Sequence, residues 1–395
     1  MLKNIKLDLL LFIRFLAALL VVRQHVDFPY PNINVFNFPI GWMFVGNNGS
    51  GGYAVILFFT ISGYLMGKNF FSGKYTFNLI SILNFYINRF KRIAPLYYFV
   101  TAYTLFYIFP YVFDWIRDDK KNIVILQKLL TFNYYGEYQF NVVYWALSIE
   151  VSFYIICPII FYILHKIQPN KYITLFLFGL ILAPNTQMSL VSLNKYHKLF
   201  EFVSYFILGS ITYFIIKNIN FKLFASKFLL YFSFTSALIS LLFPWYLYKV
   251  YFINQTQLII SLSTCLFIYC YELNNQSKQP IYKEIDNQSI FLQTKRFIIY
   301  SLNYLGKLSY AIFLTHITFL FRINEIYQKA LFLKYGPFYS GLILFFMTIF
   351  VTITVSSFLY HSVEIPGAKN IDSFVNMIKN YFIKIKQRLN VKATE

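Results

Sequence analysis

LDLLLFIRFLAALLVVRQHV, residues 7–26, is an apolar run about long enough to cross a bilayer, and it carries Arg14, Arg23 and His25. A charge inside hydrocarbon is costly, so it normally faces a protein interior or a watery cavity and marks a functional position. Arg14 and His25 are eleven residues apart, which at ~100° per residue returns within roughly 20° of one helix face. Along the axis they are ~16 Å apart, about half the hydrocarbon thickness. One face of one helix therefore offers a fixed cation at one depth and a titratable base at another. Arg23, near the far end, is expected to snorkel to the interface, whereas Arg14 lies too deep for that. Arg14 also interrupts the apolar core and no small-residue cleavage site follows, so the run is not expected to be a cleaved leader.

The rest of the chain has the same character. Of 395 residues, 58% are hydrophobic, 22% aromatic and only 13% charged, and the mean hydropathy is +0.55. Soluble domains carry about a quarter charged residues, so a soluble domain is excluded and a polytopic membrane protein is implied. The apolar runs predict an all-α membrane helix bundle of about ten transmembrane helices, near 7–26, 53–67, 94–113, 142–164, 172–184, 200–216, 227–248, 254–271, 298–321 and 337–360. The fifth is short and ends at Pro184, as a tilted or re-entrant segment would. Cys157, Cys265 and Cys270 all fall in apolar runs, which gives neither a disulfide framework nor a metal-ligand spacing.

Orientation follows from Lys and Arg. With the N-terminus inside, inner stretches hold 22 of them and outer loops 10, while Arg14, Arg23 and Lys307 lie within segments and complete the 35. Both termini are therefore expected in the cytoplasm. The net charge of +20 is a topology signal first, and no nucleic-acid partner is expected. After a membrane domain over 1–366, the tail 367–395 is basic, and Ile371, Phe374, Val375, Ile378, Tyr381, Phe382, Ile385 and Leu389 keep helical spacing among its lysines. That pattern predicts an amphipathic interfacial helix on the lipids of the inner leaflet.

Several residues have the chemistry of a site. Arg89 and Arg92, three apart in FYINRFKRIAPLYYF, share a helix face just inside the membrane. Such a fork pairs bidentately with phosphate, although the positive-inside bias explains it equally well. In VVYWALSIEVSFYIICP, Glu150 stands in the outer half of a segment behind Trp145 and Ser148. An intramembrane carboxylate has a partner, and His25 and His316 are predicted at a compatible depth. Trp145 also suits an aromatic belt, His316 a satisfied core histidine, and Ser62, beside Gly63, close helix packing. Glu364, with His361 in HSVEIPG, sits where capping or a salt bridge is the plain reading. The Gly-rich stretch 47–52 lacks the strand–helix context of a nucleotide fingerprint and reads as a turn.

R-x10-H in the first segment, FFTISGYL, R-x2-RIAP, WALSIEVSFY…P, LGKLSYAIFLTH and VEIP occur in this order over essentially the whole chain. Together they resemble the bacterial integral membrane acyltransferase-3 family. The resemblance implies a multi-pass enzyme of the bacterial inner membrane. Such an enzyme moves an acyl group, commonly acetyl from acetyl-CoA, onto a hydroxyl of a lipopolysaccharide, capsule or exopolysaccharide unit. No bound cofactor is expected, acyl-CoA being a co-substrate. Many members have Gly-Val-Asp where this chain has Ala54-Val55-Ile56, and a second carboxylate where it has Val151. On this reading His25 is the proton acceptor with Glu150 as its partner, and Arg14, Arg89 and Arg92 hold the anionic end of the donor. Ser62, Trp145, Ser148, His316 and Glu364 are supporting candidates. Two other classes stay open: a transporter or flippase of lipid-linked saccharide, which would consume no donor, and a polyprenyl-dependent glycosyltransferase. For the latter, paired acids are expected in an early outer loop, and loop 27–52 has only Asp27.

Overall fold

The structure is a computed structural model and describes residues 6–26, 50–104, 106, 132, 141, 143–167, 195–218, 227–242, 253–276, 290–326 and 332–392. The described residues form helices and no strand. In chain order these are α1 Leu9–His25, α2 Ser50–Phe71, α3 Leu79–Tyr103, α4 Tyr144–Ile167, α5 Lys195–Asn218, α6 Lys227–Leu242, α7 Ile253–Gln276, α8 Ile290–Lys307, α9 Ser309–Ile326 and α10 Phe332–Leu359, then a π-helical turn Tyr360–Glu364 and α11 Ile365–Lys392. The expected segment 172–184 lies outside the described residues.

α1 is the axis of the bundle. Asp8 caps it, its carboxylate accepting from the Leu10 and Leu11 amides at 2.9 and 3.2 Å, and the Asp8 amide donates to Asn303 of α8. Its buried residues run round the whole helix, and it packs on α2, α8, α9 and α10. A helix apolar on every side belongs in the middle of a bundle. Arg23 is only 6% exposed, so it does not snorkel outward as the sequence led one to expect.

The closest crossing is α2 on α5. A Cβ on Gly63 would stand 1.9 Å from the Phe206 carbonyl oxygen, and one on Gly209 would stand 1.9 Å from that of Thr60. Backbone therefore meets backbone, and the Ser210 hydroxyl donates across the crossing to the Gly63 carbonyl at 2.9 Å. In lipid, where apolar contact between helices gains little over contact with acyl chains, such small-residue packing is what holds helices together. Phe59, Phe153 and Phe206 stack beside the crossing at 4.6 and 4.3 Å between centroids.

Outward faces are apolar. Ile155, Ile159 and Ile163 on α4 and Phe346, Phe350 and Phe358 on α10 are each more than half exposed. Surface of that kind needs a lipid partner. Among the described residues, four helices are long and apolar enough to cross a membrane, or five if a bent pair counts as one span. The described residues form an all-helical membrane bundle.

Two boundaries differ from the sequence reading. The stretch 298–321 is not one straight helix: α8 and α9 meet at a 65° bend, with Leu308 fully buried at the corner among Phe15, Ala18, Val22 and Ile312. The third segment begins fifteen residues earlier than its apolar run, because Asn78 caps α3 by accepting from the Ser81 amide at 2.8 Å. α11 returns along that early part of α3, where Lys91 pairs with Asp372 and Lys379 reaches Asn84 at 3.4 Å.

Candidate active site

Residues of α1, α2, α3, α4 and the start of α9, just past the bend, line one cavity. Arg14 of α1, Ser62 of α2, Arg92 of α3, Glu150 of α4, and Ser309, Tyr310 and Phe313 of α9 are on its wall. Four residues singled out from sequence, scattered over 137 positions, thus meet in one place. Arg14 is buried, its guanidinium 5.9 Å from the centre of the Phe58 ring. Burying a charge is tolerable only with opposite charge nearby, and Glu150 lies within electrostatic reach of both Arg14 and Arg92.

Tyr154, one turn after Glu150 on α4, donates its hydroxyl to the Glu150 carboxylate. Arg89 stacks its guanidinium between Phe85 and Tyr154, 5.7 and 5.6 Å from the ring centres. Its Nε and Nη1 are buried and meet no hydrogen-bond acceptor among the described residues. Buried donors of this kind normally have partners, and two of them on a guanidinium match an anionic oxygen ligand. Arg92 also feels Glu364 from the π turn. The Glu364 Oε2 atom is buried with no hydrogen-bond partner among the described residues, and the extra residue that a π turn inserts is a frequent mark of functional positions.

His25 and His316 form a second locus. Their ring centroids are 5.3 Å apart, tilted by 40°. Phe313 joins the two places: it lines the cavity, and its ring is 6.3 Å from that of His316. Along α1 the loci are separated by the ~16 Å between Arg14 and His25.

Glu150 lines the cavity with Arg14 and Arg92, and Tyr154 donates to it. Trp145 packs inward against Phe59 and Phe202, at 6.5 and 5.2 Å. Ser148 donates to the Tyr144 carbonyl at 3.1 Å and to that of Phe132, an arrangement that serves the backbone. Ser62 is buried but does line the cavity. Sequence reasoning missed Tyr154 and Tyr310. Tyr154 follows Glu150 at the i+4 spacing that puts two side chains together. Tyr310, whose hydroxyl donates to the Ile93 carbonyl at 3.0 Å, gave no such signal.

The profile of a family described as an acyltransferase domain matches residues 7–361. O-acetyltransferase OatA from Staphylococcus aureus strains NCTC 8325 / PS 47, COL and MRSA252 is 30% identical over 146 residues. That stretch is 33% of this chain and 24% of each relative, so the chain spans about a quarter of the relatives it matches. No solved structure matches.

Proposed function

This chain belongs to the acyltransferase-3 family, and we propose that it moves an acyl group, acetyl from acetyl-CoA, onto a hydroxyl of a cell-surface or lipid-linked saccharide. It is a membrane O-acyltransferase. The observation that carries the finer reading is a cationic cavity joined through Phe313 to a pair of histidines ~16 Å further along α1. That span matches an extended pantetheine arm. Arg14, Arg89 and Arg92 hold the phosphates of the donor, and its thioester reaches His25. His25 takes the proton of the acceptor hydroxyl, the oxygen attacks the thioester carbonyl, and the carbon–sulfur bond breaks. The thiolate of CoA leaves with the proton that His25 held. In this reading the chain holds no resident cofactor, acyl-CoA being consumed. Glu150 and Glu364, both within electrostatic reach of Arg92, keep the arginines extended toward the ligand.

The test is release of free CoA thiol by the purified protein in lipid nanodiscs, dependent on a saccharide acceptor, with the acyl ester found on the product by NMR. Saccharide movement across the bilayer without thiol release would replace this reading by a transporter.

Arg89→Gln and Arg92→Gln are each expected to weaken acyl-CoA binding about tenfold or more, the size of a lost charge-assisted hydrogen bond. Arg→Lys should fail to restore it, because the fork is lost although the charge remains. Calorimetric titration with acyl-CoA reads both, and unchanged affinity in all four variants would remove these arginines from the donor site.

The topology belongs to the same proposal: about ten spans through residue 366, a basic tail over 367–395, both ends in the cytoplasm of a bacterium, and the bundle in its inner membrane. Cys157, Cys265 and Cys270 are buried. In a background lacking them, Ser373→Cys is expected to escape an impermeant maleimide in intact cells and to react after permeabilisation. Labelling in intact cells would reverse the orientation.

A further inference from the structure

We propose that the groove between the start of α3 and α11 binds the headgroup of an anionic phospholipid. No residue lines both this groove and the cavity of Arg14 and Glu150, so the inference stands apart from the acyl-transfer reading.

The groove forms where two helices outrun their apolar stretches. α3 begins at Leu79 and α11 at Ile365, both outside the apolar runs 94–113 and 337–360. Lys91 pairs with Asp372, and seven residues away on each helix Lys379 reaches Asn84. Seven residues are about two turns, and one number falls as the other rises, so the two helices lie side by side and antiparallel. Apolar side chains flank the polar seam. Leu79, Ile80 and Leu83 on α3 and Phe374, Met377 and Tyr381 on α11 are half exposed or more. A polar groove edged by exposed apolar surface, at the end of an apolar run, suits the depth of lipid headgroups.

Its chemistry is that of an anion site. Lys74, Lys91 and Lys379 line it against one carboxylate, that of Asp372. Lys91 is engaged by Asp372, whereas Lys74 stands 5.7 Å from the centre of the Tyr75 ring and pairs with no carboxylate among the described residues. Two hydroxyls on the wall supply further donors. Tyr75, only 5% exposed, accepts from the Asn88 side-chain amide at 3.0 Å. Ser81 accepts from the Thr76 backbone amide at 2.8 Å. Each hydroxyl keeps its own hydrogen to donate, and neither hydrogen meets an acceptor among the described residues. A sheltered O–H of this kind calls for a partner. Ammonium groups and O–H donors together match the charged oxygens of a phosphodiester. A zwitterionic headgroup would bring its own ammonium against Lys74 and Lys379, so the groove selects a headgroup of net negative charge.

The test is native mass spectrometry of the full chain in detergent, titrated with phosphatidylglycerol or with phosphatidylcholine of the same acyl chains, each variant first shown to be monodisperse by size exclusion. The wild type is expected to bind the anionic lipid about tenfold or more tightly than the zwitterionic one, and Lys74→Gln/Lys379→Gln to lose that preference. Lys295→Gln/Lys369→Gln removes as much charge from exposed positions outside the groove and should keep it. Tyr75→Phe changes no charge and should weaken the anionic lipid about threefold or more. No preference in the wild type, equal losses in the two lysine pairs, or a Tyr75→Phe protein that binds like the wild type would each overturn the proposal. Two further arms identify the ligand. Glycerol phosphate, which has the phosphate without acyl chains, should not displace the lipid at equal concentration; displacement would make this a site for a soluble phosphate instead. Acyl-CoA affinity should be unchanged in Lys74→Gln/Lys379→Gln, and a parallel loss would give the groove to the acyl donor.

Discussion

His25→Ala is expected to lose acyl transfer by about 10²–10⁴-fold, the usual contribution of a positioned proton acceptor, while the protein inserts and binds donor as before. Binding survives because the nucleotide end of the donor is assigned to Arg14, Arg89 and Arg92, whereas the His25 ring lies beside that of His316. A packing histidine behaves differently: its replacement by Gln lowers yield but leaves each correctly inserted molecule nearly fully active. Thiol release per inserted molecule separates the two. A His25→Gln protein of near-normal turnover would end the assignment and leave His316 as the remaining base at that locus.

Gly63→Val is expected to prevent accumulation of folded protein altogether. Overpacking an ordinary core site costs about 1–3 kcal/mol, because side chains move aside. At Gly63 the obstacle is the Phe206 carbonyl oxygen, 1.9 Å from where the Cβ would sit, and backbone within a helix cannot move without its neighbours. α2 and α5 would have to separate, losing the Ser210 bond to the Gly63 carbonyl and the stacking of Phe59 on Phe206. The control is Gly52→Ala on the same helix, where an added Cβ meets nothing within 4 Å and yield should be unchanged. Detergent-extracted protein measured by size-exclusion fluorescence checks both. A monodisperse Gly63→Val protein at normal yield would show that the α2–α5 crossing is looser than these contacts indicate.

Much of the candidate site was legible because it breaks the local rule. Arg14 and Glu150 stand out as charges in apolar runs, and a charge in such a place requires a protein surrounding. Ser62 could not be told from a packing serine, and only the cavity separates it from Ser148, which bonds its own helix and the Phe132 carbonyl. The start of α3 was misplaced because hydropathy reports which solvent a residue meets, not whether its backbone is helical. Capped by Asn78, the helix runs through Arg89 and Arg92 without a break. The bend at Leu308 was invisible because it is decided between helices, where Leu308 packs against Phe15, Ala18 and Val22 of α1.

By itself the sequence determined an all-helical membrane bundle and a set of charged residues that such a bundle must enclose. Those follow from chain-local physics, the cost of exposing apolar surface to water or charge to lipid. The tertiary structure alone decided which of those residues meet. Glu150 stands with Arg14 and Arg92, and His25 with His316, because partner choice depends on how helices tilt, bend and cross, which is settled by contacts between residues hundreds of positions apart.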